Sequence, residues 1–220
     1  MQATALQNSL RDLIVPAFDE IRKSFQELPP RTQEALLLLA AHGWYLDLDM
    51  SLPQLWKLKG ALSDGNAKEA EEALVDYFEG RVEEIEKSIT EMLPLRAHLI
   101  GAAFNAHRRQ EYELSIPVFL AQTDGICKDL INQSLFLKRG KKPETAIYVE
   151  QIAADTFRAA LLSPLAQTLP ISASERERLK DDDALNRHTV LHGESLNYGN
   201  KTNSLKAISL INYVAHALKQ

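Results

Sequence analysis

Apolar residues recur at three- and four-residue steps along most of this 220-residue chain, and this spacing constrains its fold most strongly. Such spacing places side chains on one face of a helix. No period-two alternation typical of strands accompanies it, and nine Gly and nine Pro are few for an all-β protein. The sequence therefore predicts an all-α, multi-helix bundle of seven to nine helices.

The predicted helices have soft boundaries. The first follows an apolar stripe made of Leu6, Leu10, Leu13, Phe18, Ile21, Phe25 and Leu28, and we expect Pro29-Pro30 to end it. Asn66 and Glu69 form a possible capping box for a long helix that reaches Met92. The remaining helices are expected at about 32–44, 53–62, 95–110, 112–135, 146–165 and 203–218, with a basic loop at 136–145.

The charge balance limits the possible partners. The net charge of −5 and the pI near 5.7 disfavour a protein that coats long nucleic acid, so nucleic acid should bind at a focused site. Cys127 is the lone cysteine, which excludes an internal disulfide and fits a reducing cytoplasm. The apolar run ALLLLAA is too short for a bilayer, and the N-terminus lacks the pattern of a secretion signal. We therefore expect a cytoplasmic protein without a membrane partner.

The stretch NRHTVLHGESLNYG, residues 186–199, holds the densest group of candidate functional side chains, Arg187, His188 and His192. We expect Asp182 or Asp183 to cap a helix over 184–192. Gly193 should be its left-handed C-terminal residue. Leu185 and Leu191 are the expected core contacts.

Three interpretations of this group are open. In a structural one, the histidines bind helix-end carbonyls and Arg187 pairs with an acid. In a metal-binding one, His188 and His192 act as an i,i+4 ligand pair, although no third ligand is evident and the H-E-x-x-H general base is missing. In a phosphate-directed one, histidine moves protons and Arg187 binds the charge on phosphorus.

The string R-H-T-V-L-H, from Arg187 to His192, resembles the R-x4–6-H motif of the HEPN superfamily (higher eukaryote and prokaryote nucleotide-binding domains). A Gly and an apolar C-terminal helix follow the motif, as in many bacterial HEPN-like proteins. The resemblance implies a HEPN-like domain with a four-helix core at 95–220, interrupted by an inserted helix around 146–165. Residues 1–94 would be an N-terminal helical region packed on that core.

The resemblance further implies a metal-independent endoribonuclease, a toxin or phage-defence effector that cleaves RNA through attack of the 2′-hydroxyl. Arg187 and His192 would be catalytic, and His188 would orient the site or hold phosphate. The chain would form a homodimer through the motif helices, and a neutralising protein would be a further partner. The alternative is a non-catalytic HEPN-like module that binds nucleotides or proteins.

Several nearby residues are candidates for supporting or substrate-binding roles. Asp124 could hold Arg187 in place from a core helix, or simply cap or face solvent. Asn186, Asn197 and Tyr198 border the motif and could contact ribose or base, or serve loop formation and packing. The basic run at 138–142 could steer RNA. No Gly-rich phosphate loop or nucleophile elbow occurs, so the sequence indicates no cofactor.

Overall fold

Ten α-helices and one very small β-hairpin form the regular structure of residues 26–153, 156–178 and 184–219, which the computed structural model describes. The helices are α1 (26–41), α2 (Leu52–Ser63), α3 (Ala67–Glu79), α4 (Val82–Met92), α5 (Ala97–Arg108), α6 (Tyr112–Ile131), α7 (Thr145–Val149), α8 (Phe157–Leu162), α9 (Arg187–Leu191) and α10 (Lys201–Lys219). Short 3-10 turns cover Ser163–Ala166 and Pro170–Ser172. The prediction of an all-α bundle is confirmed, although the described ranges hold ten helices rather than the predicted seven to nine.

The helix α10 is the centre of the bundle. It packs most extensively against α6, and also contacts α3, α4 and α8, while α5 packs against α6. Its apolar residues on every face are buried within one protomer: Leu205, Ile208, Leu210, Ile211 and Val214. One hydrophobic cluster runs from α1 to α10, so residues on both sides of position 94 contribute to the same core. None of the helices in the described ranges is long and apolar enough to cross a membrane.

The structure corrects the helix boundary that the sequence predicts at Pro29-Pro30. The helical backbone of α1 continues through Pro29 and Pro30, so the prediction that this pair ends a helix is wrong. The fixed φ of proline is compatible with helical backbone. The helix ends at residue 41, and Gly43 (φ +82°) donates its N–H to the carbonyl of Ala40. The stripe predicted over residues 6–25 lies outside the described residues.

Two helices that the sequence predicts as continuous are interrupted. The predicted helix 66–92 is divided at Gly80-Arg81, and Asn66 makes no side-chain capping bond, so no capping box forms. At the break, the guanidinium of Arg81 binds the carboxylates of Asp47 (3.1 Å) and Asp49. Gly80 also has a low helix propensity. The periodicity continues across the break because α4 buries Val82, Ile85 and Ile89 on the same core.

The predicted inserted helix 146–165 is also wrong as a single element. Its first part is the short helix α7, and its second part is α8, which begins after the N-cap Thr156. The basic loop before it forms a hairpin of β1 (Lys138–Arg139) and β2 (Lys142–Pro143), paired antiparallel around Gly140. The predicted helix 112–135 ends as α6 at Ile131, where Asn132 adopts a left-handed backbone conformation.

A buried polar contact joins α5, α6 and α10. The Nδ1 atom of His107 lies 2.8 Å from the Ser204 hydroxyl, which lies 3.0 Å from the hydroxyl of Ser115. All three side chains are buried. Burial lowers the pKa of His107 below its ordinary value. Charges nearby act in opposite senses, since Glu79 raises this pKa while Arg108 and Lys201 lower it.

We predict that His107 makes the fold sensitive to mild acid. Because the folded-state pKa is lowered, the unfolded chain binds more protons as the pH falls through 6.5, and stability decreases. The urea midpoint should therefore fall between about pH 7.5 and pH 5.5, and less steeply in His107→Gln. His98→Gln, at an exposed histidine, should keep the wild-type slope. Burial also lowers the pKa of His216, so part of the slope should remain. Equal slopes in all three proteins would contradict the prediction.

Candidate functional site

The helix that carries the Arg–His group is anchored by Asn186. Its Oδ1 accepts the backbone N–H groups of His188 (2.9 Å) and Thr189 (3.2 Å), which caps α9. Its Nδ2 donates to the carbonyls of Pro170 (2.6 Å) and Ala173 (2.9 Å), which fixes α9 to a 3-10 turn. The side chain is 3 % exposed, so its contacts are internal. Asn186 thus supports the helix that carries the candidate residues.

The prediction that Asp182 or Asp183 caps a helix over 184–192 is wrong. The helix α9 begins at Arg187 because Asn186 provides the cap, and the two aspartates lie outside the described residues. Asparagine is a common N-cap residue, so its place directly before the motif was the sequence signal for this helix start.

The C-terminal end of α9 follows the prediction in one respect and departs from it in another. Gly193 has a φ of +72°, so its predicted left-handed conformation is confirmed. The carbonyl of Thr189 accepts the N–H groups of both Glu194 (2.8 Å) and Ser195 (3.1 Å), which turns the chain back on the helix. Leu185 is buried as expected, but Leu191 is 38 % exposed and the core contact is Val190 (6 %). The expected core role of Leu191 is therefore wrong.

Three candidate side chains lie on the outer face of this short helix. The ring centroids of His188 and His192 are 4.3 Å apart. The Nε2 atom of His188 lies 3.2 Å from Glu194 Oε1, whereas His192 is exposed and makes no side-chain hydrogen bond within the described chain. The guanidinium carbon of Arg187 lies 5.5 Å from the centre of the Phe136 ring.

Arg187 differs from the other cations around it in its partners. No carboxylate of the described residues forms an ion pair with Arg187. A guanidinium stacked on an aromatic ring keeps its in-plane N–H groups directed outward. Arg187 is thus a half-buried guanidinium that contacts an aromatic ring and has no carboxylate partner among the described residues. Phe136 has no place in the sequence-based prediction, although an aromatic residue within FLKRG was a visible signal.

Asp124 does not contact Arg187. Its Oδ1 accepts hydrogen bonds from the Ser134 hydroxyl (2.7 Å), from the Leu135 N–H (2.8 Å) and, at 3.4 Å, from the Phe136 N–H. The carboxylate thus fixes the chain just after α6. Because the Phe136 ring lies under Arg187, the connection between Asp124 and Arg187 is indirect.

The basic run 138–142 is largely neutralised by acids. Lys138 pairs with Glu177, Lys142 with Glu150, and Arg139 with Glu144 at 3.5 Å. The bonds from Lys138 and Ser174 lower the pKa of Glu177 to about 2, so this acid stays ionised at neutral pH. The field that this run can exert on RNA is correspondingly weak.

A cleft of about 470 Å³ lies beside α9, on the side away from the Arg–His face. Residues from α9, from the loop 194–200 and from the start of α10 line it, together with Arg178. Tyr198 is among them, and its hydroxyl donates to the Glu113 carbonyl of α6 (3.0 Å). Arg187, His188 and His192 do not line this cleft. Among the described residues, no three His, Cys, Asp or Glu side chains form a group that could hold a metal ion.

Comparison of the chain with protein-family models, with curated proteins and with solved structures finds no match. The site is therefore interpreted from its own residues and contacts.

We predict that adjacent substitutions on α9 differ sharply in their effect on stability. Val190→Asp places a carboxylate in the core and should cost about 2 kcal/mol or more, because a buried charge there has no partner. Leu191→Asp changes an exposed position and should stay within about 0.5 kcal/mol of the wild type. Urea denaturation followed by circular dichroism measures both. Equal destabilisation by the two substitutions would show that α9 packs against the core in a different orientation.

Proposed function

We propose that the chain is a metal-independent endoribonuclease that acts at the outer face of α9. The observation that carries this proposal is that α9 and the residue after it carry a guanidinium without a carboxylate partner among the described residues and two adjacent imidazoles. These groups suit phosphoryl chemistry, in which a proton must move and negative charge accumulates on the equatorial oxygens.

In the proposed reaction, the ribose 2′-oxygen attacks the adjacent phosphorus and the bond from phosphorus to the 5′-oxygen breaks. The products are a 2′,3′-cyclic phosphate and a free 5′-hydroxyl. One imidazole accepts the 2′-hydroxyl proton, and a second group donates a proton to the leaving 5′-oxygen. Arg187 binds the phosphorane oxygens through two parallel N–H groups, which match their geometry.

The two histidines have different contacts, and this supports different roles for them. Glu194 Oε1 lies 3.2 Å from His188 Nε2, while Glu194 Oε2 accepts a hydrogen bond from Arg178 (3.1 Å), so a carboxylate that is itself fixed in place contacts the His188 ring. His192 is exposed and has no side-chain hydrogen-bond partner in the described ranges. We therefore assign proton transfer to His192 and orientation of the site, or contact with phosphate, to His188.

The proposed active form is a homodimer through the motif helices. In-line displacement needs proton-transfer groups on opposite sides of phosphorus, and His188 and His192 of one chain lie side by side. A two-fold axis near α9 would place a second Arg187 and His192 across the phosphate. The exposed side chains of Leu191 (38 %) and Leu196 (89 %) flank the site and offer apolar area for such a contact. The buried faces of α10 are already covered by the same chain.

A toxin or phage-defence effector, restrained by a neutralising partner protein, is the biological setting that we propose for this activity. The second candidate is a non-catalytic nucleotide- or protein-binding module. Exposed Leu191 and Leu196 beside the motif favour it, because this face could equally bind a different protein.

The roles of Arg187 and His192 predict a specific pattern of activity loss. His192→Ala should reduce RNA cleavage by about 10²–10⁴-fold, and Arg187→Ala by a similar factor, with unchanged melting temperatures because both side chains are outside the core. Cleavage should persist in EDTA and leave cyclic phosphate ends. His98→Ala is the control at another exposed histidine. Loss of cleavage in EDTA, restored by zinc, would instead support a His188–His192 metal site. A wild-type chain that cleaves no RNA would favour the binding module.

Mixing inactive chains tests the shared site. The proposed two-fold site holds Arg187 and His192 from both chains, so a heterodimer of Arg187→Ala and His192→Ala chains keeps one of each, whereas either homodimer lacks one residue type altogether. Random exchange of equal amounts makes about half of the dimers mixed, so part of the wild-type activity should return. Each variant mixed with itself is the control. A fully active protein that light scattering shows to be monomeric would contradict the dimer.

A further inference from the structure

The cleft beside α9 has the size and polarity of a ligand site, and the catalytic roles proposed above leave it unused. Its volume of about 470 Å³ falls in the range of small-molecule sites. Amide and hydroxyl side chains dominate its wall, and the charged groups in it, Arg178 and Glu194, pair with each other at 3.1 Å. A wall of paired charges and neutral polar groups fits a neutral ligand rich in hydrogen-bonding atoms better than it fits a phosphate.

Several polar side chains of this wall have donors or acceptors without a partner among the described residues. The side-chain amide of Asn197 is exposed and has no hydrogen-bond partner among the described residues. Asn203 donates its Nδ2 to the Tyr198 carbonyl (3.1 Å), and its Oδ1 accepts no hydrogen bond there. Arg178 uses one nitrogen on Glu194 and has further donors. Donors and acceptors are thus present together, as recognition of the edge of a base requires.

The loop that forms one wall is held in place before any ligand binds. The Tyr198 hydroxyl is bound to the Glu113 carbonyl, and Gly199 lies so close to the Glu113 side chain that an added Cβ would sit 2.3 Å from its Oε1. The Asn200 Oδ1 accepts the Asn203 N–H (2.8 Å) at the start of α10. Tyr198, fixed in this way, provides an aromatic surface of the kind on which unpaired bases stack.

One carboxylate connects the cleft with the Arg–His face. Glu194 Oε2 binds Arg178 in the wall of the cleft, and Glu194 Oε1 lies 3.2 Å from His188 Nε2 on the outer side of α9. Glu194 is therefore part of the cleft wall and also contacts His188 on the other side of α9, so this one side chain joins the two sites.

We propose that this cleft binds an unpaired nucleobase of the RNA strand next to the cleaved phosphate, and that it sets the base preference of cleavage. Asn197 and Arg178 contact the base edge, and Tyr198 packs on the base. That the ligand belongs to RNA rests on the proposed endoribonuclease function, whereas the place where it binds is inferred from the geometry of the cleft.

The test measures binding and cleavage separately. Calorimetric titration of the full chain with AMP, GMP, CMP and UMP should show a preference among the four bases. Asn197→Ala and Arg178→Ala should weaken binding of the preferred nucleotide by roughly tenfold or more, and should flatten the base preference at cleavage sites mapped in a short mixed-sequence RNA. Arg109→Ala is the matched control, because Arg109 also pairs with a glutamate, Glu111, and lies outside the cleft. Circular dichroism checks that each variant is folded.

The outcomes separate this inference from the proposed function. Base-selective binding that the two variants abolish, without any RNA cleavage, would support the cleft as a nucleobase site and overturn the endoribonuclease. RNA cleavage with a base preference that neither variant changes would overturn the cleft proposal and leave the endoribonuclease standing. The cleft proposal would also be overturned if the chain bound all four nucleotides equally, or bound none of them, and cleaved RNA independently of sequence.

Discussion

The burial of α10 on all of its faces is the constraint on which the rest of the bundle depends. A helix satisfies its own backbone hydrogen bonds, so it can occupy the centre of a core, but its polar side chains then need partners. Ser204 meets His107 and Ser115, and the Ser209 hydroxyl accepts the Tyr45 N–H (3.2 Å). These contacts fix the rotation of α10, and therefore the direction in which the chain before it, with the Arg–His group, approaches the bundle.

The helix α9 is too short to be stable alone, and its seating depends on side chains. Asn186 joins its first N–H groups to the 3-10 turn at Pro170, while Val190 contributes its apolar contact. This arrangement commits one side of α9 to the core and the cleft. Arg187, His188 and His192 consequently lie on the remaining surface of α9, where the two histidines, four positions apart, are neighbours.

The sequence predicts the helical class well because apolar periodicity reports burial directly, as the burial of the regularly spaced Leu74, Phe78 and Ile89 illustrates. The sequence-based prediction fails where a single tertiary contact determines the local structure. The break at Gly80 coincides with the Arg81–Asp47 ion pair, between residues that are distant in the chain. Leu191 is hydrophobic enough for a core position. Because the cap at Asn186 makes the helix begin at Arg187, Val190 is the residue that packs on the core and Leu191 is exposed. The Phe136 contact of Arg187 joins α9 to the chain segment after α6, which leaves no periodic signal.

The distribution of ion pairs explains how an acidic chain could act on RNA. With a net charge of −5, the protein has no broad attraction for phosphates. Lys138, Arg139 and Lys142 face acids at short range, whereas Arg187 faces an aromatic ring. Binding would then rest on few phosphate contacts and be only weakly dependent on salt. Selectivity would come from groups with fixed geometry, and the paired wall of the cleft, which neither attracts nor repels phosphate strongly, is suited to recognising the base instead.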